Sequence, residues 1–432
     1  ASKRDAAVWG AMIYGYAQHK NGLDALNLFE EMQRDGVKPT NITFLCALKA
    51  CSVIGAFMEG MAIHNQIMRE QFECDLITAN ALINMYAKCG SLEAACKVFD
   101  NLPNPNHVSY GGLITAYVQH GQGFLALQLF AKVQSKGITP NKIIYICVLK
   151  ACTDVRDSQQ GKVLHEQIVR SGFESDVTIA NTLVDMYAKC GLLGEARRVF
   201  DLLAIRTTVS WGAMIAGYVQ GGYGFLAIDL FDKMQKEKVR PDQGTFVSML
   251  KACGSTDDVV KGRIIHEEII EDGIALDTLL GSTLIDMYSK CGSMADAQQI
   301  FDTTHIKDSL KCTALITGYA RQGNTELVFH MFEKMKKEGI KPDEITFLSV
   351  LNACSHGGLV KKGQEYYMTM IREHGLISTI KHHSCMVDLL CRAGRLNEAI
   401  IMLEKFKIKP DLVTWTAVLS GCQKWGNIGL GS

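Results

Sequence analysis

Seven prolines in 432 residues leave little to interrupt helices. No run of 18 apolar residues occurs, which excludes a membrane-spanning helix. A charge surplus is missing as well: 45 Lys and Arg balance 45 Asp and Glu, unlike the basic excess usual in blanket nucleic-acid binders. The fifteen cysteines contain no C-x-x-C pair, and their odd number suits neither a zinc knuckle nor a closed disulfide set. A G-x-x-x-x-G-K-[S/T] phosphate loop is absent, as is the P-C-x-x-C half of a zinc-deaminase signature. One H-x-E match exists, His266-Glu267-Glu268, but the aligned His165-Glu166-Gln167 and His64-Asn65-Gln66 break it. No catalytic residue, metal site, cofactor or small-molecule substrate is therefore expected. The start, ASKRDAAVWG, shows neither a secretory apolar core nor an Arg/Ser-rich presequence, which points to a mature form or an excised fragment.

What the chain does have is a period. The stretch LITANALINMYAKCGSLEAACKVF at 76–99 returns as VTIANTLVDMYAKCGLLGEARRVF at 177–200 and TLLGSTLIDMYSKCGSMADAQQIF at 278–301, with a looser copy from Ile380. The first three are 101 residues apart and the last follows after 102. Each copy holds two apolar patterns at helical spacing broken by a Cys-Gly or Ala-Gly step, the mark of a helical hairpin. A fixed period of this kind implies a stack of units. Cysteine follows the period too. Cys51, Cys152, Cys253 and Cys354 fill one slot, and Cys89, Cys190 and Cys291 another, so they read as buried free thiols used for packing.

Two further hairpins complete each block. Residues 6–40 carry Val8, Trp9, Met12, Ile13 and Tyr16, then a turn, then Ala25, Leu26, Phe29 and Met32, and end on Gly36 and Pro39. This pattern recurs at 107–141, 208–242 and 309–343. Middle hairpins lie at 41–75, 142–176, 243–277 and 344–379, sharing TFLCALKAC, IYICVLKAC, TFVSMLKAC and TFLSVLNAC. Third hairpins occupy 76–106, 177–207, 278–308 and 380–411. Twelve hairpins thus fill 6–411, leaving stubs at 1–5 and 412–432.

Phrases such as VSWGAMIAGYVQ, TFLSVLNACSHGGLV, NTLVDMYAKCG and CMVDLLCRAGRLNEA resemble the pentatricopeptide-repeat family, in its plant subclass of alternating P, L and S motifs. The likeness covers 406 of 432 residues, and 1–5 would be the remnant of a preceding S repeat. The segment LVTWTAVLSGCQKWGNI after Asp411 is similar to the start of that subclass's C-terminal extension motif. The resemblance implies an all-α chain, a right-handed α-solenoid superhelix of about twelve helix-turn-helix repeats. It also implies sequence-specific binding of single-stranded RNA in a mitochondrion or chloroplast, about one base per repeat, usually to select a cytidine for editing.

In that family the fifth and last residues of a motif choose the base, and the second is wedged between bases. The S motifs then offer Asn80 with Asn106, Asn181 with Thr207, Ser282 with Asp308 and Ser384 with Asp411. The P motifs offer Gly10 with Thr40, Gly111 with Asn141, Gly212 with Asp242 and Thr313 with Asp343. Three glycines depart from the usual pattern, leaving room for a purine without a side-chain hydrogen bond. The wedge positions are Ala7, Ile77, Val108, Val209, Leu279 and Leu310, whose apolar character suits solenoid core equally well. Each S motif ends its first helix on a cation, Lys88, Lys189, Lys290 and Arg392, placed for phosphate contact or for charging a helix C-terminus.

The L motifs carry Leu45, Ile146, Val247 and Leu348 at the fifth position, none able to hydrogen-bond a base. Spacing or partner contact is expected there. The resemblance names the partners: the multiple organellar RNA editing factors, with a DYW-type deaminase performing the chemistry. Ile264 and Ile269 on an L second helix are candidate contacts. The reading is a non-enzymatic RNA-recognition array; RNA stabilisation or splicing, and a protein-binding scaffold of the tetratricopeptide kind, are the alternatives.

Overall fold

The structure, a computed structural model, describes residues 5–19, 21–70, 75–304, 308–405 and 412–426. Asp411 and the stub ahead of Asp5 lie outside the described residues. Every regular element among those described is a helix, twenty-five in chain order. The first block sets the pattern: α1 (Ala6–Gln18) with α2 (Gly22–Arg34), α3 (Asn41–Ile54) with α4 (Phe57–Arg69), and α5 (Leu76–Lys88) with α6 (Leu92–Asp100). First helices of the later hairpins begin at His107, Lys142, Val177, Thr208, Gln243, Thr278, Ser309, Glu344 and Ile380, and a final helix spans Leu412–Lys424. The chain divides into two compact units, Ala1–Gly217 and Tyr218–Ser432.

Within each unit the first helices pack on one another in sequence, as α1 on α3 and α3 on α5 in the first unit. Second helices lie against the first helix of their own hairpin and that of the next. The division follows from composition. First helices are apolar almost all round and bury Ile13, Leu48, Ile83 and their equivalents completely. Second helices are amphipathic, with one stripe (Ala25, Leu26, Phe29, Met32) inside and the opposite face in water. Neighbouring second helices meet through a repeated amide bridge: Gln33 to Gln66 at 3.0 Å, Gln134 to Gln167 at 2.8 Å, and Gln235 to Glu268 at 2.9 Å.

The Cys-Gly step is a helix stop. Gly90 takes φ 85°, its amide bonds Ala87 O at 3.2 Å, and the Ser91 amide bonds Tyr86 O at 2.9 Å. These two bonds make a Schellman motif that only glycine enters without steric cost. Cys51, Cys152, Cys253 and Cys354 are wholly buried, and burial pushes each thiol up to about 12. Cys89, Cys190 and Cys291 are half-buried instead, each donating to the carbonyl of the buried cysteine 38 residues earlier. Middle second helices come so close to the next hairpin that a Cβ at Gly60, Gly161, Gly262 or Gly363 would run into Met85, Met186, Met287 or Leu389. Beside that contact His64, His165 and His266 bond Tyr86, Tyr187 and Tyr288 at 2.7, 2.9 and 3.0 Å. The H-x-E histidine is thus a packing residue. Ile269 is also core, fully buried, and drops out as a partner contact, whereas Ile264 is exposed.

Candidate nucleic-acid interface

Positions two, five, nine and thirteen of a helix follow one face, because each step is three or four residues. Where the last first helices stack, that face borders a cavity of about 530 Å3 lined by Asn352, Ser384, Asp388, Arg392, Thr416 and Lys424. Asn352 and Asp388 stand at position nine, Ser384 at five and Arg392 at thirteen. That face is therefore grooved at this end of the second unit.

Among the described residues, the last residue of each first and third hairpin stands at the N-terminus of the next first helix and caps it. Asn106 Oδ1 accepts from the amides of Val108 and Ser109 at 2.9 and 3.1 Å. Asn141 caps Ile144 at 3.0 Å, Asp242 caps Thr245 at 2.8 Å, Asp308 caps Lys311 at 2.9 Å and Asp343 caps Thr346 at 2.8 Å. Thr40 and Thr207 cap through their hydroxyls, taking the Thr43 and Ser210 amides at 3.4 Å. Capping consumes one oxygen and so fixes what remains. On Asn the remainder is an NH2 donor; on Asp it is a carboxylate acceptor.

The structure joins some fifth and last residues and not others. Asn181 Nδ2 donates to Thr207 Oγ1 at 3.4 Å. Thr313 Oγ1 reaches Asp343 Oδ1 at 3.4 Å and Thr346 Oγ1 at 2.6 Å. Ser384 meets Thr414 at 2.6 Å. Ser282 turns away and donates to Leu279 O at 3.0 Å, while Asp308 Oδ2 is inaccessible and faces Lys311 Nζ at 3.8 Å. Asn80 Oδ1 and Asn181 Oδ1 are likewise inaccessible and have no hydrogen-bond partner among the described residues. A Cβ at Gly10 or Gly111 would sit 3.4 Å from Thr43 or Ile144, ordinary contact, so neither backbone demands glycine. Gly212 lies in the first unit and Asp242 in the second.

The wedge positions are not core. Ile77, Val108, Val209, Leu279 and Leu310 are between 47 and 63% exposed, and Ala7 is exposed as well. Sequence reading missed that the middle hairpins continue the series: Ile42, Ile143 and Ile345 are 58 to 67% exposed at the same position. The signal was available, an isoleucine at the second residue in three of four middle hairpins.

Three of the four terminal cations are already engaged. Lys189 pairs with Asp185 at 2.9 Å, Lys290 with Asp286 at 2.6 Å and Arg392 with Asp388 at 2.8 Å. Arg321 also reaches Asp286, at 3.3 Å. Lys88 has Asn84 one turn back and remains exposed.

Middle hairpins close differently. Asp75, Asp176 and Asp277 also stand at N-caps, but their second oxygen is taken by the first residue of the same hairpin. Asn41 donates to Asp75 Oδ2 at 3.1 Å, Lys142 to Asp176 Oδ2 at 2.7 Å and Gln243 to Asp277 Oδ2 at 2.7 Å. These bonds help hold all three carboxyls below their ordinary range: the Asn41 amide first for Asp75, the Lys142 ammonium first for Asp176, and the Leu280 backbone amide ahead of Gln243 for Asp277. Leu45, Ile146 and Val247 at position five add no polar group to these hairpins. Among the described residues no cluster of His, Cys, Asp and Glu could hold a metal ion.

Comparison with known proteins agrees with this architecture. Models of the PPR repeat family match residues 4–52, 206–255 and 307–356, the pentatricopeptide repeat domain matches 104–155, and the PPR repeat matches 77–104, 178–204, 282–303, 345–374 and 382–409. A putative pentatricopeptide repeat-containing protein of Arabidopsis thaliana is 35% identical over 432 residues, 98% of this chain and 76% of its own length. A relative from the same plant named mitochondrial is 32% identical, covering 99% of this chain and 71% of itself. Another named chloroplastic is 35% identical over 99% of this chain, which spans only 53% of that protein. Among solved structures, the maize pentatricopeptide repeat protein PPR10 superposes with a TM-score of 0.59 at 17% identity, covering 99% of this chain and 72% of that one. PPR10 in complex with an 18-nt psaJ RNA element gives 0.51 at 20% identity, with 98 and 62% covered. On its sequence matches, this chain belongs to the pentatricopeptide repeat family.

Proposed function

We propose that this chain binds single-stranded RNA sequence-specifically in a plant mitochondrion or chloroplast and supplies the address for cytidine editing. One observation carries the reading. Capping Asn and Asp residues such as Asn106 and Asp343 keep one uncommitted hydrogen-bonding group, close to a small fifth residue, in hairpins whose second positions are exposed and apolar. An acceptor left on Asp suits the N–H of G or U, and a donor left on Asn suits the ring nitrogen of A or C; single-stranded RNA is read on such edges, with bases splayed out. Exposed Ile, Val and Leu side chains are the kind of surface against which a base plane packs.

In this reading the three hairpin types are the P, L and S motifs, and the helix Leu412–Lys424 opens the extension motif. The chain is not itself an enzyme; deamination belongs to a DYW-type deaminase module, and the editing factors dock on L motifs. Read from N- to C-terminus against RNA 5′ to 3′, the expected site is unassigned, unassigned, pyrimidine, A, unassigned, pyrimidine, G, unassigned, G, G, unassigned, G. The pyrimidines come from Asn80 and Asn181, and the G preferences from Asp242, Asp308, Asp343 and Asp411, the Asp308 assignment resting on motif position alone because its second oxygen is buried beside Lys311. Selecting bound RNAs from a random pool tests it. A selected consensus rich in pyrimidine over its 3′ half would overturn the assignment, as would affinity indifferent to reversal of RNA polarity.

A further inference from the structure

The chain carries no net charge, so which cations are uncommitted decides where a polyanion can be held. At position thirteen of the third hairpins, Lys189, Lys290 and Arg392 each face a carboxylate one turn earlier on their own helix. Position nine of those helices is Asn84, Asp185, Asp286 and Asp388. A phosphate approaching here meets a cation already neutralised at 2.6 to 2.9 Å.

Position nine of the middle hairpins is the opposite case: Lys49, Lys150, Lys251 and then Asn352. Each stands four residues after the position-five residue and shares its face. Asn352, the member of this series in the final block, lines the groove beside Ser384 and Arg392. Lys150 and Lys251 are exposed, and among the described residues none of the three lysines has a carboxylate within ion-pair distance. Lys49 is half-buried, with Nζ 5.1 Å from the centroid of the Tyr14 ring, itself at position nine of the preceding first helix. These lysines are set into the reading face in the hairpins that have nothing to read with.

We propose that Lys49, Lys150 and Lys251 bind the phosphodiester backbone of the RNA, so that middle hairpins grip the strand while their neighbours select bases. The proposal rests on the RNA-binding reading above. A lysine with no local counter-charge releases a condensed counterion when it meets a phosphate, and that release is measurable as salt dependence. It carries no base information.

The test is a salt titration of binding to fluorescein-labelled single-stranded RNA, once with a random-sequence pool and once with RNA selected from it. The triple variant Lys49→Gln, Lys150→Gln, Lys251→Gln should flatten log K against log salt by about 2, at roughly 0.7 per contact for a single strand. The change should be equal for both RNAs, with base preference kept, and Lys→Arg at the three sites should restore the slope. The triple Lys189→Gln, Lys290→Gln, Arg392→Gln should move it less. Single variants, each flattening the slope by about a third as much, serve if the triple variant melts early. A wild-type slope retained by the glutamine variant overturns the phosphate grip and leaves RNA recognition standing. Failure of the wild-type chain to bind either RNA overturns both.

Discussion

Thr313 with Asp343 and Ile146 with Asp176 occupy the same two positions of hairpins of different kinds, and the difference lies in what the closing carboxylate has left. Both acids cap a helix through Oδ1. Asp343 then meets a hydroxyl at position five, whereas the second oxygen of Asp176 is held by Lys142 at 2.7 Å and its position five is isoleucine. In the reading proposed above, cap identity alone therefore does not make a slot. A slot needs a polar or absent side chain at position five and a closing residue with a group to spare.

The largest effect is expected within a slot that has both. Thr313→Asn should shift preference at that one base from G towards U, the wrong base costing about 1–3 kcal/mol by analogy with base-edge mismatches in DNA. Binding of RNAs differing only there measures it; loss of affinity without a change of preference would show the slot to be misassigned. Converting the other kind is the sharper test. Ile146→Thr alone should leave its base unselected, because Asp176 stays occupied. Ile146→Thr combined with Lys142→Ala frees Oδ2 and should create a G preference of about 1 kcal/mol, the low end for one base-edge contact.

Smaller still is the gain at Gly111, where a Cβ meets only Ile144 at ordinary distance. Gly111→Thr should give an A preference in company with Asn141, of about 1 kcal/mol or less, read by the same single-base series. The last prediction concerns stability alone. Asp75, Asp176 and Asp277 titrate below the 3.8 of a free aspartate. A carboxyl depressed in the folded state stabilises above its unfolded value, and that stability is lost as pH falls through the folded value. Asp176→Asn should therefore make acid unfolding below pH 3.8 shallower, as followed by circular dichroism.

Much of this was legible in the order of residues. The 101-residue period, the Cys-Gly helix stops and the Asn, Asp and Thr residues ahead of each apolar stripe are local signals. The burial of Cys51 and its equivalents followed from their slot. What could not be read was pairing across a hairpin. Nothing local joins Asn41 to Asp75 or Gln243 to Asp277, each 34 residues apart. Exposure of Ile77 and its series was equally hidden: first helices are apolar on almost every side, so periodicity does not say which apolar residue faces water. The pairs Asp185–Lys189 and Asp286–Lys290 were visible at i,i+4, and the structure shows both formed, at 2.9 and 2.6 Å.

In the reading proposed above, the residue that names a base is also the N-cap of the next helix, so the vocabulary of recognition is bounded by helix chemistry. Only short side chains with an acceptor oxygen cap well, and replacing one by alanine costs about 1 kcal/mol of helix stability. A longer or cationic side chain at Asn106, Asn141, Asp242 or Asp343 would enlarge the set of readable contacts while unfastening the hairpin behind it. Exchange between Asn and Asp leaves the cap nearly as strong, since both rank alike there, and inverts donor to acceptor. On that reading, retargeting by this exchange is almost silent to folding and needs no prior stabilising substitution.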